Sequence, residues 1–554
     1  MCRCQTRLGL TVIRSSELMT TMTTNTVSKV TSQTLKAWLR DGQELALVDV
    51  REKGAFGRKH LLLAVNAPLW RLELTIGSLV PRLDTRIVLV DLDGSLLPQA
   101  ADKLLELGYT SLHLLEGGTL AWEEAGFEVF RGISVPSKAF GEVVEHELKT
   151  PTIEVRELHE RLQRGEDLVV LDGRTPEEYQ RFTIPGARSV PNGELVYRLR
   201  EVAPNPNTLV VVSCAGRTRS ILGAQTLINA GVPNPIVSLK NGTAAWWLAG
   251  LELQTGTRDA LPEPNHGSLA EVSDRTRTHA IKAGAVPIDF VTLQDLERDH
   301  QRSLFLLDVR SREEYLAGHL PGWRWAPGGQ LIQATDQYIG VRKARVVLAD
   351  WDGVRAWTTA AWLAQMGTYD VYVLGVDDSR RSLASGQEPV RIARPAKAAP
   401  WISARQLEGL RQKTDVAIFD VESSLAFATK HIAGARFVAP DRLPEFVQNL
   451  DRTSPIVITA SNAALALNVA SELKRRSDRD ARALAGGNTA WFSLGLPTAE
   501  GRDDILTGTD DDWYNLTTYQ NPEERREKTL EYLTWEVALA QQIERDGDTL
   551  FRLI

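Results

Sequence analysis

The stretch TLVVVSCAGRTRS, residues 208–220, decides the fold. The run Leu209–Val212 has the length and β-branched content of a strand buried on both faces, as parallel sheets require. Small residues follow, then a helical stretch starting near Ser220, with no hairpin turn between. A strand feeding a loop and then a helix is the unit of a parallel α/β sheet, where ligands bind at the carboxyl ends of strands. Cys214 stands at such an end.

Working outward, the same pattern recurs four times. A short apolar strand ends in Asp at LALVDVR (45–51), LVVLDGR (168–174), LFLLDVR (304–310) and VAIFDVE (416–422). About ten residues on comes a turn: KHLLLAVNAP (59–68), FTIPGARSVP (182–191), GHLPGWRWAP (318–327) and KHIAGARFVAP (430–440). A second apolar strand follows, at RIVLVDLDG (86–94), TLVVVSCAGR (208–217), RVVLADWDG (345–353) and PIVITASN (455–462). Three units close on Gly and Trp: LEGGTLAWEEAG (115–126), LKNGTAAWWLAG (239–250) and LAGGNTAWFSLG (484–495). The third lacks this ending and reads VLGVDDSRRS (373–382). The spacing of roughly 110–140 residues suits one domain each.

Cys214 is the one cysteine beyond Cys2 and Cys4. In its loop, Cys214-Ala215-Gly216-Arg217-Thr218-Arg219, small residues let successive backbone amides turn inward around an anion. The next helix adds its positive end, and Arg217 and Arg219 add two cations. These effects predict a lowered thiol pKa and a nucleophile near neutrality. The other loops hold no thiol: Asp91-Leu92-Asp93-Gly94, with Leu92 taking the place of Cys214, then Asp350-Trp351-Asp352-Gly353 and Thr459-Ala460-Ser461-Asn462. Asp172 and Arg174 read as a strand-end ion pair, and Trp122, Trp246 and Trp491 as core.

Together, the D-x-R strand end, the TIPGA-like turn, the strand–Cys–loop–helix and the closing G-x-x-x-W resemble the rhodanese (thiosulfate sulfurtransferase) domain, four times over residues 31–500. The arrangement is similar to bacterial multidomain rhodanese-related sulfurtransferases. The resemblance implies an α/β fold of four tandem domains, each a five-stranded parallel sheet flanked by helices. It implies a catalytic Cys214 cycling between thiolate and persulfide, with Ala215, Gly216, Arg217, Thr218 and Arg219 binding the substrate. It also implies an anionic donor such as thiosulfate and a nucleophilic acceptor: cyanide, a small thiol or a protein thiol. No metal or organic cofactor is required. In tandem rhodaneses an inactive domain helps wall the site, and the first unit is expected in that role. The alternatives are a sulfur carrier or scaffold built on rhodanese modules and, more remotely, a cysteine phosphatase, whose C-x-x-x-x-x-R loop would need arginine at Ser220.

The expected division is a flexible segment 1–30, rhodanese-like domains at 31–132, 150–258, 288–390 and 400–500, and an acidic linker with a C-terminal helix at 501–554. Only the 150–258 domain is expected to be catalytic. The helix opens at Pro522 and sets Leu530, Leu533, Val537 and Ala540 at helical spacing, which reads as a strap docked on another domain. Met19 and Met22 are alternative starts. With 64 basic and 71 acidic residues among 554, net charge −7 and a pI of 5.9, the chain lacks the basic excess of a nucleic-acid or membrane-surface binder. Three cysteines make no disulfide framework and point to a reducing, cytoplasmic setting.

Overall fold

Four parallel sheets organise the computed structural model, which describes residues 27–259, 264, 269–376, 382–388, 398–477, 479–508, 511–513, 519 and 521–554. Cys2, Cys4, Asp510, most of the Arg391–Pro400 linker and half of the third unit's ending lie outside those residues. Each sheet has five strands, and taken in chain order they lie side by side as 1-5-4-2-3. The central strands, such as Ile87–Val90, Leu209–Ser213, Arg345–Ala349 and Ile456–Thr459, are almost wholly buried, because helices cover both faces. In the fourth unit His431–Ile432 leaves the sheet and pairs antiparallel with Thr498–Ala499.

The second and third units meet about an approximate two-fold. Gly193 and Gly329, matched positions of the two repeats, lie back to back, so that a Cβ on either would press the other's backbone nitrogen at 3.0 or 2.9 Å. The surrounding contacts are reciprocal, as such symmetry demands. Arg219 pairs with Glu178 of its own unit at 2.6 Å and reaches Gln330 of the third at 3.2 Å. Its counterpart Arg355 pairs with Glu314 at 2.6 Å and reaches Glu194 of the second at 2.9 Å.

The last helix, Pro522–Asp546, is capped by the Asn521 side chain and lies along the helix Val135–Leu148 that follows the first unit. Its buried stripe is Thr529, Leu533, Glu536, Leu539 and Ile543. The predicted apolar face was rotated from this one: Leu530 and Val537 are 47% and 51% exposed. The helix turns Glu536 inward because the Thr218 hydroxyl meets it there, while Thr529 satisfies its hydroxyl on the Arg525 carbonyl of its own helix. Leu539 and Ile543 anchor it among Leu62, Phe130, Val135 and Ala139. Among the described residues no helix is long and apolar enough to cross a membrane.

Candidate active site

Strand register fixes which residues correspond. Asp172 stands opposite Ser213, so Cys214 is the first residue past the strand. Asp49 stands opposite Val90, Asp308 opposite Ala349 and Asp420 opposite Thr459. The counterparts of Cys214 are therefore Asp91, Asp350 and Ala460. This corrects the reading that placed Leu92 at the cysteine position: Leu92 lies one residue further on and is 42% exposed. The closing helices confirm the match, since the Thr243 amide donates to the Cys214 carbonyl as Thr119 does to Asp91 and Asn488 to Ala460. Gly242, at φ +50°, accompanies this contact, because a Cβ there would collide with the Cys214 carbonyl.

The helix Thr218–Asn229 begins at the loop's end, and the amide of Ser220 in its first turn is directed to the sulfur. The amide and hydroxyl of Ser220 both act on the thiol. The other units fill this cradle from within. Asp350 accepts from the amides of Gly353, Val354 and Ala356 at 2.9, 3.1 and 2.7 Å. Asp91 accepts from Gly94 and Leu96. In the fourth unit the Glu422 carboxylate takes the Asn462 amide at 3.2 Å.

Cys214 is 2% exposed, and burial pushes its thiol pKa up. The nearby Arg219 charge and the Ser220 hydrogen bonds pull it down, while the Glu536 carboxylate adds to the rise. The lowered pKa expected from the loop is thus reversed, because desolvation of a thiolate outweighs one buried and already paired arginine. Arg217 binds Glu142 at 2.7 and 2.8 Å, also pairs with Glu145, and donates to Asn241. Burial raises Glu142 to about 7 despite that pair. Burial also opposes ionisation of Glu178, but Arg219, the Thr175 amide and Arg174 bring it down to about 2. Thr218 donates its hydroxyl to Glu536 at 2.9 Å.

Above the loop lies a cavity of about 280 Å³. Ala215 and Gly216 form its floor, whereas Cys214, Arg217, Thr218 and Arg219 do not line it. One wall is Arg174, Phe182 and Trp247 of the second unit. The end of the first unit contributes Arg131 and Gly132, and the segment after it Ile133 and Lys138. The C-terminal helix contributes Arg525, Lys528, Thr529, Tyr532 and Trp535, with Trp513 and Tyr519 beside it. Sequence reasoning missed Lys138 and the whole C-terminal contribution. The available signal was Glu536, an acid set at helical spacing between Leu533 and Leu539.

The remaining motif residues have structural partners. Arg174 chelates Asp172 at 2.7 Å and donates to the Phe182 carbonyl. Arg51–Asp49 and Arg310–Asp308 repeat the arrangement, with donation to the carbonyls of Lys59 and Gly318. Trp122, Trp246 and Trp491 are buried, each donating its indole N–H to a carbonyl six residues on, at 2.9 Å.

The family described as the rhodanese-like domain matches residues 31–125, 154–249, 292–376 and 403–494. The crystal structure of a thiosulfate sulfurtransferase from Pseudomonas aeruginosa is 41% identical and superposes with a TM-score of 0.90, over 95% of this chain and 100% of that one. A sulfurtransferase of Allochromatium vinosum is 30% identical over 101 residues, 18% of this chain and 92% of its own length. Thiosulfate sulfurtransferase GlpE of Tolumonas auensis is 26% identical over 90 residues, 16% of this chain and 85% of its own.

Proposed function

The chain belongs to the rhodanese family, and on that premise we propose that it is a sulfurtransferase in which Cys214 alone carries the sulfur, taken from thiosulfate or a similar anionic donor. The supporting observation is the state of the four cradles. Three are occupied by the chain's own carboxyl groups, Asp91, Asp350 and Glu422, while the fourth offers its amides to a thiol.

In the first half-reaction the Cys214 thiolate attacks the outer sulfur of thiosulfate. The sulfur–sulfur bond breaks and sulfite leaves with the electron pair. Cys214 then holds a persulfide whose charge the amides at the start of the helix Thr218–Asn229 stabilise. In the second half-reaction a nucleophilic acceptor takes the outer sulfur and frees the thiolate. Splitting the transfer through a covalent intermediate gives ping-pong kinetics. Arg219 favours the anionic sulfur by its charge while remaining bound to Glu178. Arg174 and Lys138, on the cavity wall, supply positive charge for the donor.

The test is a mass spectrum of the full chain after thiosulfate and again after an acceptor. One sulfur should be gained and then lost at Cys214, over many turnovers. Cys214→Ser should gain none and keep its fold. A sulfur gained by that variant would overturn the single-site reading, and a single turnover only would mark a carrier rather than an enzyme.

A further inference from the structure

The cavity over Ala215 and Gly216 is larger than an inorganic donor requires. Its 280 Å³ is several times the share of one water in the liquid, about 30 Å³. Its walls are also of two kinds. Trp247, Leu253, Trp513 and Trp535 offer apolar surface, and between them stand charged side chains: cations, and the acids Glu178 and Glu531, which are already paired with Arg219 and with Arg131 and Lys528.

Lys138 is the informative one. It is 7% exposed, and its ammonium forms no ion pair among the described residues. The carboxylates of Glu536 and Asp336 act on it only through space, and its direct partners among the described residues are ring faces, Tyr532 at 5.3 Å and Trp535 at 5.2 Å. A buried ammonium costs free energy unless an anion or hydrogen-bond acceptor meets it, and burial lowers its pKa accordingly. On the opposite side Arg525 lies 4.3 Å over Trp247, with its Nε buried and lacking a hydrogen-bond partner. Both cations face the same space, which opens onto the Cys214 loop.

We propose that this cavity binds the sulfur acceptor, and that the acceptor is a small organic thiol bearing a carboxylate or sulfonate. The anionic group meets Lys138 and Arg525, the apolar body lies against Trp247 and Trp535, and the thiol reaches the loop. The assignment rests on the sulfur-transfer reading of Cys214. In the step itself, the acceptor sulfur attacks the outer sulfur of the Cys214 persulfide. The bond from that sulfur to Sγ breaks, and its electron pair returns to Sγ. The acceptor's thiol proton ends on Cys214, and the product is the acceptor's persulfide. No oxidant or reductant is consumed.

The experiment uses the full chain loaded with thiosulfate, desalted, and mixed with mercaptobenzoate or its neutral analogue mercaptobenzamide at matched thiolate concentration. Loss of sulfur from Cys214 is followed by mass. At subsaturating acceptor, mercaptobenzoate should unload the wild type about tenfold faster, the gain expected of one charge-assisted contact. In Lys138→Met that preference should fall towards one, and Lys138→Arg should restore it. Equal rates for the two thiols in the wild type would overturn the proposal even if Lys138→Met fails to fold. A preference that survives in a folded Lys138→Met would overturn it too. Should thiosulfate place no sulfur on Cys214, the loading spectrum shows before any acceptor is added that the underlying reading has failed.

Discussion

Cys214 and Asp350 occupy the same register position in two units that pack against each other, and each engages the same element: Ser220 acts on the thiol, and Ala356 donates to the carboxyl at 2.7 Å. The cradle is therefore not lost from the third unit but satisfied internally. A backbone nest that has its own carboxyl group has no vacancy for a substrate anion.

The first unit tests this correspondence. In a Cys214→Ser background, Leu92→Cys should give a thiol that alkylates readily but takes no sulfur from thiosulfate, since Leu92 is 42% exposed and outside the cradle. Asp91→Cys places the thiol where the carboxyl was, releasing the amides of Gly94 and Leu96. It should still load far more slowly than Cys214, because Leu96 stands where the second unit has Arg219. Loading at the native rate, read by mass, would show that backbone geometry suffices without the cation.

Arg217→Ala should act through stability. It leaves Glu142, buried and bound at 2.7 and 2.8 Å, without a counter-charge. Breaking such a pair costs about 3–5 kcal/mol. Adding Glu142→Gln should recover much of the loss, because a neutral amide needs no cation. Hydrogen exchange of the helix Thr218–Asn229 in both variants is the measurement, and unchanged protection in Arg217→Ala would show the pair to be idle.

The thiol's pH profile follows from burial. Because burial raises its pKa above that of an ordinary thiol, iodoacetamide should modify Cys214 at a rate that climbs by about tenfold per pH unit, with no plateau where a free cysteine reaches one. A plateau near neutrality would mean that the loop's positive groups overcome desolvation.

The fourth unit carries its own pH dependence. Glu422 replaces the arginine of the strand end, and burial lifts Asp420 from 3.8 to about 6. A carboxyl whose folded pKa is raised stabilises the fold below its unfolded value, and that contribution is lost as pH rises through the folded one. Exchange protection of Ile456–Thr459 should thus fall as pH rises from about 4 to 6 once intrinsic exchange is corrected. Asp420→Asn should remove the dependence; an unchanged profile in that variant would assign it elsewhere.

The sequence by itself determined the four parallel units, the place of Cys214 at a strand end, the D-x-R ion pairs and the buried tryptophans. Those features are local: strand periodicity, a loop of small residues and contacts within a dozen positions are all written along the chain. The tertiary structure alone decided what surrounds the sulfur. The pairing of Arg217 with Glu142 and Glu145, the reciprocal contacts of Arg219 and Arg355, and the roof of Tyr532, Trp535 and Glu536 join residues far apart in the chain. Burial by such contacts reversed the expected direction of the Cys214 pKa. It also turned Glu536 of the last helix inward, onto the Thr218 hydroxyl of the Cys214 loop, and left Leu530 and Val537 exposed. Desolvation and paired charge depend on everything packed around a group, and no local pattern in the chain encodes them.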